Sequence, residues 1–591
     1  MPFADRAATF VDEFFARYPH WATSIGDHRH DDRWPDTSDA GRDARLAWID
    51  SWVAELAALD GATLTADERL DRDLVLSELD ALRFAEGDLR DDAWDPMDWV
   101  YLLGFGLFPL TARSFAPLAA RLASVAGRLE GIPAVLEDAK RALGSLPGRP
   151  VSRLHAETAA KRVDGIAELG RDAVQQGEAA AVAGDADTAA ILPRLRAAEQ
   201  AASDAIVGFG AHLREVVVPA SEGQGLLGPE RFSAKLRHTL RDPDATPEGL
   251  LQVAEREFSA VRGEMLRLAT ELWPALRPGK PVPDDEAALV RGALDVIARD
   301  HPRADELLDV CIAELARIEA FCREHDVITL VDEPLDIRWT PEFLRSFGGA
   351  MLDSPGALDK GEKAFFAITP VNDDWTPEQV ESYLRENNDR QLQLLTIHEA
   401  VPGHYLHGVY ANRVSSLVRS VFRSGLTAEG WAVYVTQVLM DLGFAGDDLA
   451  LWLVHWKFYL RSVTNAIIDV RIHTQGMTTE EAVRFMVEGG FQEEAEARAK
   501  DDRARLSSTQ LSTYFTGSRG MWDLEDEARR RAAEAAGAAG AGRDAVPTPT
   551  VVGGYGDTPG FRYKAHLEEA LAHGMPPLPL VRRAVLGEEP G

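Results

Sequence analysis

A mostly α-helical fold is predicted for these 591 residues by three observations. Apolar residues recur at helical spacing over long stretches, strand-like segments are few and short, and no repeat of about 20 to 50 residues is present that would build a solenoid. The clearest stripe is Leu118, Leu122, Val125, Leu129 and Ile132. Its alternating steps of four and three turn one apolar face toward a core. Shorter stripes run through Val163, Ile166 and Leu169, and through Leu250, Leu251, Val253 and Phe258. Strand-like material is confined to residues 327–331 and 365–369, both apolar and bounded by Pro or charged turns.

After the second strand, Thr376 and Pro377 followed by Glu378 give a helix start, with Thr as N-cap and Pro at the first helical position. The helix is expected to run through Tyr383, Leu384, Leu392, Leu394 and Leu395 directly into His398. The Ala- and Gly-rich run from Ala532, followed by Pro547 and Pro549, reads as a flexible connection over 531–560, with a last helix near His566 to Ala572 in the tail 561–591. The chain is therefore expected to form a single helical domain, with a helical N-terminal part over 1–325 and a chemistry-bearing part over 326–530.

The formal net charge is −33, from 96 Asp plus Glu against 63 Lys plus Arg. Such a field repels nucleic acid and anionic lipid, so neither is an expected partner, while cations are weakly favoured. Cys311 and Cys322 lie on one predicted helix, about 16 Å apart along its axis and beyond disulfide reach. The N-terminus shows no basic segment followed by an apolar run, and no stretch of 18 or more apolar residues occurs. The expectation drawn from this is a cytoplasmic protein without a membrane span.

The chemistry is concentrated in His398-Glu399-Ala400-Val401-Pro402-Gly403-His404. Catalytic zinc sites commonly take two His at i and i+4 of a helix with a Glu after the first. Here the second His comes six residues on, which a regular helix turns by about 600°, roughly 120° off the first face. Pro402 lacks an N–H and its ring clashes with the carbonyl of His398, and Gly403 adds backbone freedom. The pair predicts a broken helix that swings His404 back toward His398. Glu429, 25 residues after His404 and in a helix that Thr427 would cap, is the expected third ligand, with His407 as its competitor. Asp469 and His473 share a helix face at i and i+4, where a carboxylate can orient an imidazole or simply form a helix-end pair.

These residues resemble the bacterial domain of unknown function 885 family, whose hallmark is a His-Glu-Ala-x-Pro-Gly-His segment. The segment from Pro19 to His28, the Glu429-Gly430-Trp431 block and the Asp469 to His473 block match in order and spacing. Nearer the end Arg503, Gln510, Tyr514 and Gly517 match, while Ala504 replaces a Tyr and Ser508-Thr509 replaces Pro-Gly. The family is similar to the helical gluzincin peptidases, including the carboxypeptidase Taq and dipeptidyl peptidase III groups. That likeness implies a mostly α fold with a deep central cleft, of which the N-terminal part forms one wall, and a small sheet beside the metal helix.

The expected chemistry follows. His398, His404 and Glu429 bind one zinc ion, or another divalent metal, and Glu399 acts as general base. Tyr514 or His473 donates to the developing oxyanion, and Arg503 and Asp469 contact the substrate. The strand at 365–369 would pair with an extended substrate backbone. The leading expectation is hydrolysis of amide bonds in short peptides; the alternatives are a zinc amidase for a specialised small molecule and an inactive helical scaffold.

Overall fold

The computed structural model describes residues 2–340, 349–372, 375–537 and 558–588, and these are mostly helical with one small sheet. Two compact units divide the chain, each described by itself. The first comprises Met1–Leu226 with the segments Pro355–Glu362 and Ser415–Val421. Its core is the predicted stripe: Leu122, Val125, Leu129 and Ile132 of the helix Leu118–Ala142 are buried against Leu103 and Leu107 of Pro96–Ala112 and Leu195, Ile206 and Phe209 of Ala186–His212.

The motif from Pro19 to His28 has a structural task within this unit. Buried Arg128 donates to the carbonyl oxygens of Pro19 and Gly106 and to Thr23 Oγ1. His28 stands between two carboxylates, Nδ1 2.8 Å from Asp31 and Nε2 2.9 Å from Asp359. At Gly26 (φ 93°) and Gly356 a Cβ would strike Asp359 N at 2.5 Å and the Ile25 carbonyl carbon at 2.4 Å, so the segment 355–362 seats on the motif backbone to backbone. Segment 415–421 is held by Arg419, which is paired with Asp67 at 3.0 Å and Asp71 at 2.8 Å.

The second unit, Leu227–Ser354 with Lys363–Val414 and Phe422–Gly591, carries the sheet and every candidate functional residue. Helix α1 (Leu307–Glu324) precedes strand β1 (Leu335–Trp339); β2 (Ala350–Asp353) and β3 (Ala364–Ile368) complete a sheet of order β1-β3-β2. β3 pairs parallel with β1 and antiparallel with β2. Its Phe366 and Ile368 pack with Leu307 and Cys311 of α1 and with Leu384, Leu392 and Ala400, which fixes the sheet beside the helix that carries His398. Both cysteines are buried and free.

Three expectations are corrected here. The run at 327–331 is not a strand: Val327 and Ile328 bury themselves at the end of α1, and the Thr329 N–H donates to Glu568. A short apolar run reads alike as strand or as buried coil. The helix expected to run from 377 into His398 is two, α2 (Pro377–Glu386) and α3 (Asp389–Glu399), because the Asn388 side chain accepts the N–H groups of Arg390 and Gln391 and starts a new helix. Strand β3 is the middle strand, with ladder partners on both sides, so it has no free edge for a substrate. Of the connection expected over 531–560, residues 538–557 lie outside the described residues. Beyond it Tyr563–Ala572 is helical, followed by a further helix, Leu578–Leu586. Among the described residues no helix is long and apolar enough to cross a membrane.

Candidate metal centre

The break in the helix that carries His398 has the predicted form. Helix α3 ends at Glu399, Ala400 leaves helical geometry at φ −105° and ψ −94°, and α4 (His404–Ala411) begins at the second His. At Gly403 the chain folds back so closely that a Cβ would lie 1.9 Å from the His398 carbonyl oxygen, and its N–H donates to Ile397 O at 3.1 Å. No residue with a side chain fits there. Trp431 secures the break by donating its indole N–H to Pro402 O at 2.8 Å.

Trp431 belongs to α5 (Gly425–Asp441). Ser424, not Thr427, caps this helix, since Thr427 Oγ1 donates instead to Pro576 O; Glu429 therefore sits in the second turn. Further on, α6 (Leu449–Gln475), α7 (Glu494–Ser507) and α8 (Ser512–Ala535) follow. Helices α5 and α8 cross at two glycines: a Cβ on Gly430 would meet the Gly517 carbonyl carbon at 2.3 Å, and one on Gly517 would meet Leu426 O at 2.3 Å. This crossing places Tyr514, one turn before Gly517, on the Glu429 side of α5.

The result is a convergence of three donors. Glu429 Oε2 lies 3.5 Å from His404 Nε2 and 3.9 Å from His398 Nε2, and the ligand atoms of all three residues fall within 4.8 Å of one another. Four-coordinate zinc with bonds of about 2.0–2.1 Å requires donor separations of roughly 3.3 Å. The two distances to Glu429 are near this value, and two imidazoles with one carboxylate form a donor set proper to catalytic zinc, so the residues fit the group. His407 does not join them: it is buried against Trp431, and burial lowers its pKa to about 3. His398 is likewise pushed down to about 3, by burial first and then by the charge of His404. In His404 the hydrogen bond and charge of Glu429 overcome burial and raise the pKa, while the same two histidines hold Glu429 low despite its burial.

Glu399 is buried beside this group and raised to about 7, by desolvation first, with Glu429 adding to it; His404 and a backbone hydrogen bond from Leu352 of β2 pull the other way. Tyr514 Oη accepts from Arg503 Nη2 at 3.0 Å and from Gln510 Nε2 at 3.5 Å. Both bonds arrive from N–H donors, which leaves the phenol's own hydrogen uncommitted among the described residues. Burial and the charge of Glu429 raise the Tyr514 pKa and keep that hydrogen in place.

His473 and Asp469 lie elsewhere in function. His473 Nδ1 accepts from the Leu227 N–H at 3.2 Å, Nε2 faces Ala504 O at 3.0 Å, and the ring stacks on Phe232. Both nitrogens are engaged by backbone, so the expected oxyanion donor is here a structural pin. Asp469 is fully buried and accepts from the Thr509 and Ser512 N–H groups and the Ser512 hydroxyl at 3.0, 3.1 and 2.7 Å. It holds the turn that starts α8, which corrects its expected substrate contact. Sequence reasoning also missed Trp431 as the clasp of the break and the ion network beside Tyr514. The latter was signalled by i,i+4 charge spacing at Lys457 and Arg461 and at Glu496 and Lys500.

A model of the family described as "Bacterial protein of unknown function (DUF885)" matches residues 19–585. A solved structure from Shewanella oneidensis, described as a candidate lipoprotein of unknown function, is 30% identical, with a TM-score of 0.80 over 99% of this chain and 100% of that one. A crystal structure of a candidate lipoprotein from Colwellia psychrerythraea, 15% identical, matches with a TM-score of 0.78 over 99% of each chain and shows the fold alone. A comparison with curated proteins finds no match. The lipoprotein description of the Shewanella relative overturns the cytoplasmic expectation, which rested on the N-terminal composition and the lack of a long apolar stretch.

Proposed function

The chain belongs to the DUF885 family, whose description carries no activity, and from the site itself we propose a zinc-dependent hydrolase that cleaves amide bonds of short peptides. The observation that carries this reading is the convergence of His398, His404 and Glu429 with a buried, near-neutral carboxyl on the residue next to the first ligand. The likeness to gluzincin peptidases is part of the proposal and rests on the same grouping. Zinc held by these three residues would supply a Lewis acid and lower the pKa of a water from 15.7 to about 7.

The rest is done by the chain. Glu399 accepts one proton from the attacking water as its oxygen bonds to the acyl carbon. The C–N bond then breaks, and Glu399 returns the proton to the leaving nitrogen. A carboxyl near pKa 7 suits both directions of transfer at neutral pH. Tyr514, with its hydrogen uncommitted, donates to the carbonyl oxygen as charge develops there; one such donor is worth about 10²- to 10³-fold in rate. The test is metal analysis of the purified protein together with hydrolysis of a panel of short peptides by wild type, His398→Ala and Glu399→Gln. One equivalent of metal is expected in wild type and in Glu399→Gln, much less in His398→Ala, and hydrolysis only in wild type. Absence of stoichiometric metal, or unchanged hydrolysis by Glu399→Gln, refutes the proposal.

A further inference from the structure

Beside Tyr514 lies a charge imbalance that bond cleavage does not use. Lys457 and Arg461 stand one turn apart on α6, and Lys500 and Arg503 stand three residues apart on α7. Two carboxylates answer these four cations. Glu386 takes Lys457 at 2.8 Å and Arg461 at 3.2 Å, and Glu496 takes Arg461 and, at 3.5 Å, Lys500. Lys500 and Arg461 are largely buried, 13% and 24% exposed, whereas Arg503 at the end of the set is exposed and open to a ligand. Two cations of the set are thus left without a carboxylate of their own in ion-pair contact, in a chain of formal charge −33; Glu429 feels Arg503 only through its charge.

The surplus is located on α7. Arg503 forms no ion pair among the described residues; its guanidinium touches only the neutral groups Gln510 Oε1 and Tyr514 Oη, each at 3.0 Å. Neighbouring Asp501 does not neutralise it, being committed to Arg505 at 2.9 Å. Lys500 shares its single acid with Arg461, and burial together with the charges of Arg461 and Arg503 lowers its pKa to about 8. An anion set against Arg503 and Lys500 would complete the balance, and the planar guanidinium suits a carboxylate.

We propose that Arg503, backed by Lys500, is the seat for the free terminal carboxylate of the substrate, so that the bond cleaved is the last peptide bond and the product released is a single amino acid. The inference rests on the proposed hydrolysis and adds its direction. Arg503 Nη2 lies 3.0 Å from Tyr514 Oη. With Tyr514 on the scissile carbonyl and Arg503 on the carboxylate, each through a hydrogen bond of about 2.8 Å, the two ligand oxygens lie at most about 9 Å apart, and a single residue is the shortest segment that joins them.

Two measurements test it. The first compares N-acetyl-Ala-Ala as free acid and as C-terminal amide, with metal-loaded wild type, Arg503→Gln and Arg503→Lys. The acid is expected to release alanine at least about 100-fold faster than the amide is cleaved. Arg503→Gln should bring the acid down toward the rate of the amide, with Arg503→Lys between. The second reads binding alone: calorimetry of N-acetylalanine and of its amide with metal-loaded Glu399→Gln protein. The acid should bind at least about tenfold tighter, and adding Arg503→Gln or Lys500→Gln should each remove most of that preference. Equal binding of acid and amide, or a preference untouched by both variants, overturns the proposal. Selective binding of the acid without hydrolysis of any peptide would uphold the carboxylate seat and refute the hydrolase.

Discussion

Replacing Gly430 by Ala tests whether the crossing of α5 and α8 sets the geometry of the site. The added Cβ would lie 2.3 Å from the Gly517 carbonyl carbon, whereas contacts of this kind are ordinary only from 3.4 Å outward. The helices must therefore part by about 1 Å at the crossing. Overpacking of this kind costs about 1–3 kcal/mol, of which better helix propensity returns up to roughly 1 kcal/mol, for a net loss of about 0–3 kcal/mol. The functional effect should be larger. Glu429 precedes Gly430 by one residue and Tyr514 precedes Gly517 by one turn, so the same displacement separates the proposed metal ligand from the proposed oxyanion donor, and misplacement by about 1 Å can cost about 10²-fold in rate. The assay pairs thermal unfolding with steady-state hydrolysis, and Gly425→Ala on the same helix serves as control because its Cβ meets nothing within 4 Å. Unchanged hydrolysis in Gly430→Ala, at a melting temperature equal to that of the control, would refute the reasoning.

Two further outcomes concern positions away from His398, His404 and Glu429. His28, held between Asp31 and Asp359, is raised to about 9: burial opposes its charge, but the two hydrogen bonds and carboxylate charges prevail. Because this folded-state pKa exceeds the usual value near 6.5, the contribution of His28 to stability is complete below about pH 6.5 and is lost as pH rises through about 9. Thermal unfolding across pH 6 to 10 should show that decline in wild type and a flatter profile in His28→Gln; parallel profiles would exclude it. Asp469→Asn places an amide against two N–H donors and the Ser512 hydroxyl in a fully buried site, and a loss of about 1–3 kcal/mol is expected by denaturant unfolding. Stability equal to wild type would show that the turn at 508–512 stands without the carboxylate.

Much of the helical fold was legible in the sequence because burial of an apolar stripe is a local pattern. Leu122, Val125, Leu129 and Ile132 lie in the core as their spacing required. The break at the metal helix was legible for the same reason, since Pro402 and Gly403 act on the backbone within one turn. The errors share a cause. Residues 327–331 have strand composition but found no partner strand, and an isolated Asn388 outweighed a continuous helical pattern by capping from within it.

The sequence by itself determined which three donor residues come together and where the chain must bend to let them, because donor chemistry and backbone sterics are local. Only the tertiary structure decided which of the remaining candidates reach that site. Asp469 and His473 have the composition of a catalytic pair, yet backbone partners from distant segments occupy both, while Arg503, flanked by acids in sequence, forms no ion pair among the described residues. Whether a polar side chain serves the fold or faces a substrate depends on which hydrogen-bond partners packing brings to it, and those partners are remote in sequence.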